Sequence, residues 1–163
     1  LVLLPVLWAL PALHPMPLSL RWSGACLVML ALGWPLAVPV LVLVGAMATA
    51  IGGLPAEAAL ALTVWQGLLP ATLALGVGAL VRRHLPRNPF VYIFCRGFFG
   101  TLLCTFAALL LQHIGDAPQP SYVALWLMAW ADAIVTGMLV AIFVAYRPDW
   151  LATWSDRHYL HHP

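Results

Sequence analysis

The sequence has very little charge and no lysine. Only 7% of its 163 residues are charged, whereas about a quarter of the residues in a soluble domain are charged. So few charges cannot cover a water-facing surface, so most of the surface must contact lipid or other apolar chains. The net charge of +2 comes from arginine without a long basic run, which argues against a nucleic-acid partner.

The motifs of common enzymes and cofactor sites are also missing. The three cysteines (Cys26, Cys95 and Cys104) all lie in apolar segments, and an odd, buried set argues against a disulfide framework. The sequence contains no Cys-x-x-Cys pair, no glycine-rich phosphate loop and no set of a nucleophile with its base. We therefore predict neither an enzyme nor a bound cofactor.

Long apolar runs dominate what is present, and 64% of the residues are hydrophobic. Because a membrane span needs roughly 20 apolar residues, the chain has room for about six helices in a single domain over residues 1–163. The predicted segments are 1–13 (a partial first helix), 24–32, 36–51, 58–81, 88–111 and 122–146. This pattern predicts an all-α fold, a polytopic transmembrane helix bundle whose main partner is the lipid bilayer.

The apolar stretch before residue 52 is interrupted at Gly33-Trp34-Pro35. Proline disfavours helix at the residue before it. The residues alone leave two alternatives open, which are one long kinked span and two short helices joined by a turn.

The distribution of arginine predicts the orientation of the bundle. The loop 82–87 carries Arg82, Arg83 and Arg87, and Arg147 follows the last span, whereas the loops 52–57 and 113–121 carry none. Because cytoplasmic loops are enriched in arginine and lysine, we expect 82–87 and the tail 147–163 to be cytoplasmic.

Three polar side chains fall inside predicted spans, where a charge costs roughly 2.5–3.5 kcal/mol. Asp132 lies near the middle of the last span, Gln66 lies at a matching depth, and Arg96 lies about 12 Å from the cytoplasmic end of its helix. We expect Asp132 to face the bundle and to contact Gln66 or Arg96, unless Arg96 extends toward the membrane surface. These residues either join helices structurally or form a substrate-facing site.

A metal site has only weak support from the residues. His14 and Met16 stand in the proline-rich connector 14–23, and three histidines follow in the tail at positions 158, 161 and 162. Imidazole and thioether groups are metal ligands, so His14 and Met16 form a weak candidate pair of metal ligands. A mobile tail is the better explanation for the terminal histidines.

Three longer strings resemble a known family. They are LRWSGACLVMLALGWPLA (20–37), RHLPRNPFVYIFCRGFFG (83–100) and DAIVTGMLVAIFVAYRPDWLATWSDRHYL (132–160). Together they are similar to the membrane substrate-capture (permease) component of energy-coupling factor transporters for cobalt and nickel, and most similar to a proteobacterial branch of that family.

The resemblance implies a helical hairpin at Gly33–Pro35, a location in the bacterial inner membrane, and ATPase subunits as partners. Arg82, Arg83 and Arg87 are then the expected docking charges. In the family, a connector histidine holds the metal, but Arg21 stands at that position here. A guanidinium offers no lone pair and repels a divalent ion, so the metal ligands look degenerate. The alternative function is a non-transporting accessory subunit of a larger respiratory or photosynthetic complex.

The orientation can be tested by cysteine labelling from outside the cell. We expect a probe introduced at Ala117 to react and one at His84 to be protected. The loop 82–87, which contains His84, carries arginine, whereas the loop 113–121, which contains Ala117, carries none. Labelling at both positions, or the reverse pattern, would contradict this orientation.

Overall fold

Six helices form the part of the chain that the computed structural model describes, which is residues 3–13, 22–86, 88–114 and 121–154. No strand occurs in these ranges. The helices are α1 (Leu3–Leu13), α2 (Ala25–Leu32), α3 (Trp34–Gly52), α4 (Ala56–His84), α5 (Pro89–Gln112) and α6 (Tyr122–Tyr146). The predicted all-α bundle of about six helices is confirmed.

Helices α3 to α6 are long and apolar enough to cross a bilayer. The 19 residues of α3 extend over about 28 Å at 1.5 Å per residue, close to the roughly 30 Å of a hydrocarbon core. Large apolar side chains such as Leu60, Phe90 and Val123 are exposed on the outside of the bundle, where lipid is their natural solvent. The chain is a multi-pass membrane protein.

The chain breaks between α2 and α3 at Gly33. This residue has φ of 76°, a region open to glycine at little cost, and its N–H donates to the carbonyl of Met29 at 2.9 Å. The two-helix alternative for this stretch is therefore confirmed. One part of it is wrong, however, because α3 is a full-length span and only α2, with eight residues, is short.

Four pairs of contacts with α4 give the directions of α2 and α3. They are Ser23–Gln66 and Cys26–Pro70 for α2, and Leu41–Gly67 and Gly45–Thr63 for α3. The residue numbers on α4 rise along α2 and fall along α3. The two helices are therefore antiparallel and form a hairpin that packs on α4.

Two spans contain a π-helical segment, Thr63–Leu68 in α4 and Tyr92–Phe98 in α5. Each segment carries a buried polar residue followed by a glycine, Gln66-Gly67 in the first and Arg96-Gly97 in the second. A π-segment is rare and often marks a functional position. In both places the glycine allows a neighbour to approach closely, since an added Cβ would lie 3.0 Å from Trp8 or 3.2 Å from Val140.

The segment after α6 packs against the end of α2. The Ala152 N–H donates to Ala31 O at 2.9 Å, and Thr153 Oγ1 donates to Leu30 O at 2.8 Å. These bonds satisfy carbonyls that a helix leaves without partners in its last turn. Leu151 and Trp154 are buried. The first part of the predicted tail is thus a packed element, and residues 155–163 lie outside the described residues.

Neighbouring spans α4, α5 and α6 alternate in direction. Antiparallel packing of α5 and α6 follows from the contacts Gly97–Val140 and Thr105–Asp132. The end of α4 with Arg82 and the residue after α6, Arg147, therefore lie at the same end of the bundle. The orientation prediction requires this arrangement, and the assignment of that end to the cytoplasm stays a prediction.

The close packing of α3 on α4 can be tested with Gly45→Ala. A Cβ at Gly45 would overlap the Thr63 hydroxyl, which already donates to Ala59 O at 2.8 Å. Overpacking costs about 1–3 kcal/mol, so thermal unfolding in detergent should occur at a lower temperature.

Gly76→Ala is the matched control for this substitution, because nothing lies within 4 Å of its added Cβ. Alanine favours a helix over glycine by about 1 kcal/mol, so this variant should be as stable as the parent chain or more so. Equal stability of the Gly45→Ala and Gly76→Ala variants would contradict the close packing of α3 on α4 at Gly45.

Candidate functional site

The Asp132 carboxylate is the centre of the candidate site. It lies in the middle part of α6 and is only 1% exposed, so the prediction that it faces the bundle is confirmed. Its Oδ2 accepts a hydrogen bond from Thr105 Oγ1 at 2.9 Å, and its Oδ1 accepts one from the Gly24 N–H at 3.3 Å. The predicted contact with Gln66 or Arg96 is wrong, because these two donors from α5 and the start of α2 occupy the carboxylate instead.

The chain is not helical at residues 22–24, although it lies level with Asp132 deep in the bundle. Non-helical backbone is tolerated at membrane depth only where protein or a water-filled cavity surrounds it. The Ser23 carbonyl accepts from Trp8 Nε1 at 3.0 Å, and the Ser23 hydroxyl donates to Gln66 O at 2.6 Å. Every one of these contacts comes from a different helix, so this short stretch joins α1, α4 and α6.

Gly24 sets the geometry at the start of α2. Its φ of 60° is left-handed, which glycine adopts without the penalty that a Cβ brings. This conformation directs the N–H of Gly24 at Asp132. The N-terminus of a helix also carries a partial positive charge, so a carboxylate at this position is favoured. The result is a helix that begins inside the bundle with its positive end on a buried acid.

Gln66 belongs to the same site without bonding to Asp132. Its side chain is buried, and it lines a small cavity of about 10 Å³ together with Ser23 and Thr105. Ser23, Gly24, Gln66, Thr105 and Asp132 therefore form one connected group, which we call the midplane cluster.

Arg96 lies elsewhere. The residue is 4% exposed, and its guanidinium packs where Gly78 leaves space, 5.2 Å from the Tyr92 ring centroid. Both predicted positions are wrong, since it reaches neither the membrane surface nor Asp132. Arg96 precedes Thr105 by nine residues, an axial offset of about 13 Å, which exceeds the reach of its side chain. Its three guanidinium nitrogens have no hydrogen-bond partner among the described residues.

The remaining candidate residues divide into two groups. Arg82 and Arg83 are exposed at the end of α4, as a docking role requires, and Arg82 Nε donates to Gly78 O at 3.3 Å. The others lie outside the described residues; they are His14, Met16, Arg21 and Arg87. Within the described ranges, no group of three His, Cys, Asp or Glu side chains is placed to hold a metal ion.

Sequence reasoning missed most of the partners of Asp132. Ser23 and Gly24 precede an apolar run, and serine in that position is a helix-start signal, so the beginning of α2 was detectable. Thr105 had no such signal, because a threonine in an apolar span usually bonds to its own helix, as Thr101 does to Gly97 O here. Only the packing of α5 on α6 identifies Thr105 as a hydrogen-bond donor to Asp132.

Comparisons with known proteins found no matching family model, no matching curated protein and no matching solved structure. The site is therefore interpreted from its own chemistry and geometry.

The role of the carboxylate can be tested with Asp132→Leu and its matched control Asp132→Asn. Leucine leaves the Gly24 N–H and the Thr105 hydroxyl without an acceptor, and each unsatisfied buried donor costs about 1–3 kcal/mol. Asparagine keeps an acceptor oxygen. We expect a clear fall in unfolding temperature for Asp132→Leu and a small one for Asp132→Asn. A leucine variant as stable as the parent chain would show that these bonds do not hold α2 in place.

Proposed function

We propose that this chain is the membrane-embedded solute-capture component of a transporter of the energy-coupling factor type, with the midplane cluster as its solute-facing site. One observation carries the proposal. A carboxylate lies in the middle of an apolar span of 25 residues, receives the N-terminus of a helix that starts inside the bundle, and has no cationic partner among the described residues.

The cost of this arrangement favours a functional role over a structural one. An ionisable side chain in a span is expensive, and such residues commonly mark substrate or ion pathways. Interrupted helices whose ends point at the middle of the bilayer are typical of the binding sites of transporters. Joining α2 to α6 requires only an acceptor, and a serine or asparagine would supply one at a lower desolvation cost.

The chemistry of the site disfavours cobalt or nickel as the solute. Nickel and cobalt select nitrogen donors such as imidazole, and the midplane cluster offers only oxygen atoms and an amide. Arg21 also replaces the histidine that the family resemblance would require. We infer a component whose metal ligands have been lost and whose solute is of another kind.

Such a component needs partners. The sequence has no phosphate loop of its own, so nucleotide hydrolysis would come from separate ATPase subunits. Arg82 and Arg83 are exposed at one end of the bundle and, with Arg87, offer positive charge for acidic groups on those subunits.

A second function has one observation in its favour. The replacement of the family's histidine by Arg21 also suits a subunit that has kept a transporter fold but lost transport. Such a chain would be an accessory subunit of a larger respiratory or photosynthetic membrane complex.

Purification of the full chain from its native membrane in mild detergent separates the two functions. The transporter proposal predicts that ATPase subunits co-purify and that the preparation hydrolyses ATP. Arg82→Ser with Arg83→Ser should reduce this association, whereas the matched control Arg147→Ser, at the same end of the bundle, should retain it. Recovery of redox-active or pigment-bearing subunits instead would reject the proposal and support the accessory function.

A further inference from the structure

The guanidinium of Arg96 is a buried charge whose hydrogen-bond donors have no acceptor. Among the arginines that the structure describes, only Arg96 is buried, whereas Arg82, Arg83 and Arg147 are exposed. Its Nε, Nη1 and Nη2 atoms have no hydrogen-bond partner within the described ranges. The Tyr92 ring face attracts the charge, but it supplies no oxygen for the N–H groups. A carboxylate would supply both the opposite charge and two acceptors, because its geometry matches the planar guanidinium.

The described part of the chain ends close to this guanidinium. Tyr92 is fully buried, and its hydroxyl shares a hydrogen bond with Thr153 Oγ1 at 2.6 Å. The Trp154 ring meets the Tyr92 ring edge-on, with the two centroids 4.9 Å apart. Arg96 Cζ lies 5.2 Å from the same Tyr92 centroid. The guanidinium carbon and the Trp154 ring centre are therefore no more than about 10 Å apart.

Elimination leaves one acidic side chain of this chain as a counter-ion. The five acids are Glu57, Asp116, Asp132, Asp149 and Asp156. In the sequence, the first two adjoin the ends of α4 and α5 that are remote from Arg96. Asp132 is held by its two donors about 13 Å away along the bundle, and Asp149 is exposed. Asp156 remains, and it follows Trp154 by two residues.

We propose that the segment 155–163 docks on this end of the bundle through an ion pair between the Asp156 carboxylate and the Arg96 guanidinium. Two extended residues span up to about 7 Å, and the aspartate side chain adds to this, so the carboxylate can reach the guanidinium from Trp154. The pair would give the buried charge its missing acceptors, with the Tyr92 ring as its second contact. This pairing does not depend on the proposed function.

Other partners fit these two groups less well. Exposed arginines such as Arg82 and Arg147 are hydrated, and surface ion pairs contribute little, so they compete weakly for Asp156. A free anion or a lipid phosphate would have to enter between packed helices. The carboxylate of Asp156 is tethered two residues from a buried side chain, and tethering gives it a high effective concentration.

The pair would also support α2. Ala152 and Thr153 donate to the last carbonyls of that helix, and Asp156 follows them within four residues. An attachment to α5 just beyond these bonds would keep the capping segment in place. Loss of the attachment would leave the cap held only by the contacts of residues 151–154.

A double-mutant cycle on the purified full chain in detergent measures the pairing. Asp156→Asn should lower the unfolding temperature by at least about 4 °C, because it leaves a buried cation without its counter-ion. Arg96→Met removes the buried charge and frees Asp156 to enter water, so Asp156→Asn should have no further effect in that background. Asp149→Asn, the matched control, removes an exposed acid near the same end of the chain and should have no effect in either background.

Thiol labelling measures docking of the segment directly. Ser155→Cys introduces a probe for a polar maleimide, and the parent chain, whose Cys26 and Cys104 are buried and whose Cys95 is half-buried, gives the background rate. Each rate is divided by the rate of the same chain in denaturant. We expect Arg96→Met and Asp156→Asn each to accelerate labelling at least about tenfold, which corresponds to about 1.4 kcal/mol, and the two together to accelerate it no further.

Three results would overturn the pairing. The first is an Asp156→Asn variant as stable as the parent chain, and the second is an equal loss of stability in the Arg96→Met background. The third is a probe at position 155 that reacts as fast in the folded chain as in denaturant. If Asp156→Asn alone does not fold, the added Arg96→Met change should restore folding, and failure to do so would reject the pairing as well.

Discussion

A backbone that leaves its helix inside a bilayer must find every hydrogen-bond partner within the protein, and the rest of this structure depends on how residues 22–24 do so. Trp8 of α1 donates to the Ser23 carbonyl, and Asp132 of α6 accepts from the Gly24 N–H. The Ser23 hydroxyl adds a bond to the Gln66 carbonyl of α4. The bond between the Gly24 N–H and Asp132 joins the start of α2 to α6. Without it, α2 would begin with an unpaired backbone donor in apolar surroundings, and the acid would lose one of its two donors.

The short length of α2 has a second consequence at its other end. Eight residues cannot cross a bilayer, so the last carbonyls of α2 end against protein. Ala152 and Thr153 donate to these carbonyls, and Tyr92 links the same threonine to α5 at 2.6 Å. The segment after α6 therefore caps the C-terminus of α2, the helix whose N-terminus belongs to the candidate site. Both ends of α2 are therefore held by hydrogen bonds to other parts of the chain.

Glycines and π-segments allow the spans to approach closely where polar groups are buried. Gly67 accommodates the Trp8 ring, and Gly78 accommodates the guanidinium of Arg96. The contacts of Arg96 do not fully offset the cost of burying its charge. The Tyr92 face is its observed electrostatic partner, and a cation–π contact contributes about 2 kcal/mol when desolvated, less than the several kcal/mol that burying a charge costs. Its position within the π-segment Tyr92–Phe98 marks it as a second unusual place in the bundle.

Composition and apolar run lengths alone determined the fold class and the positions of the spans, because each depends on local hydrophobicity. They marked an interruption at Gly33–Pro35, but only the structure decided between one kinked span and two helices. They also identified Asp132 as a buried acid, since lipid penalises an exposed charge wherever the helix packs. Its partners were decided only by tertiary structure. Thr105 and Gly24 lie 27 and 108 residues away along the chain, and their contact depends on the register between helices. No local pattern encodes that register, because it results from how glycine, threonine and tryptophan side chains fit across several helices at once.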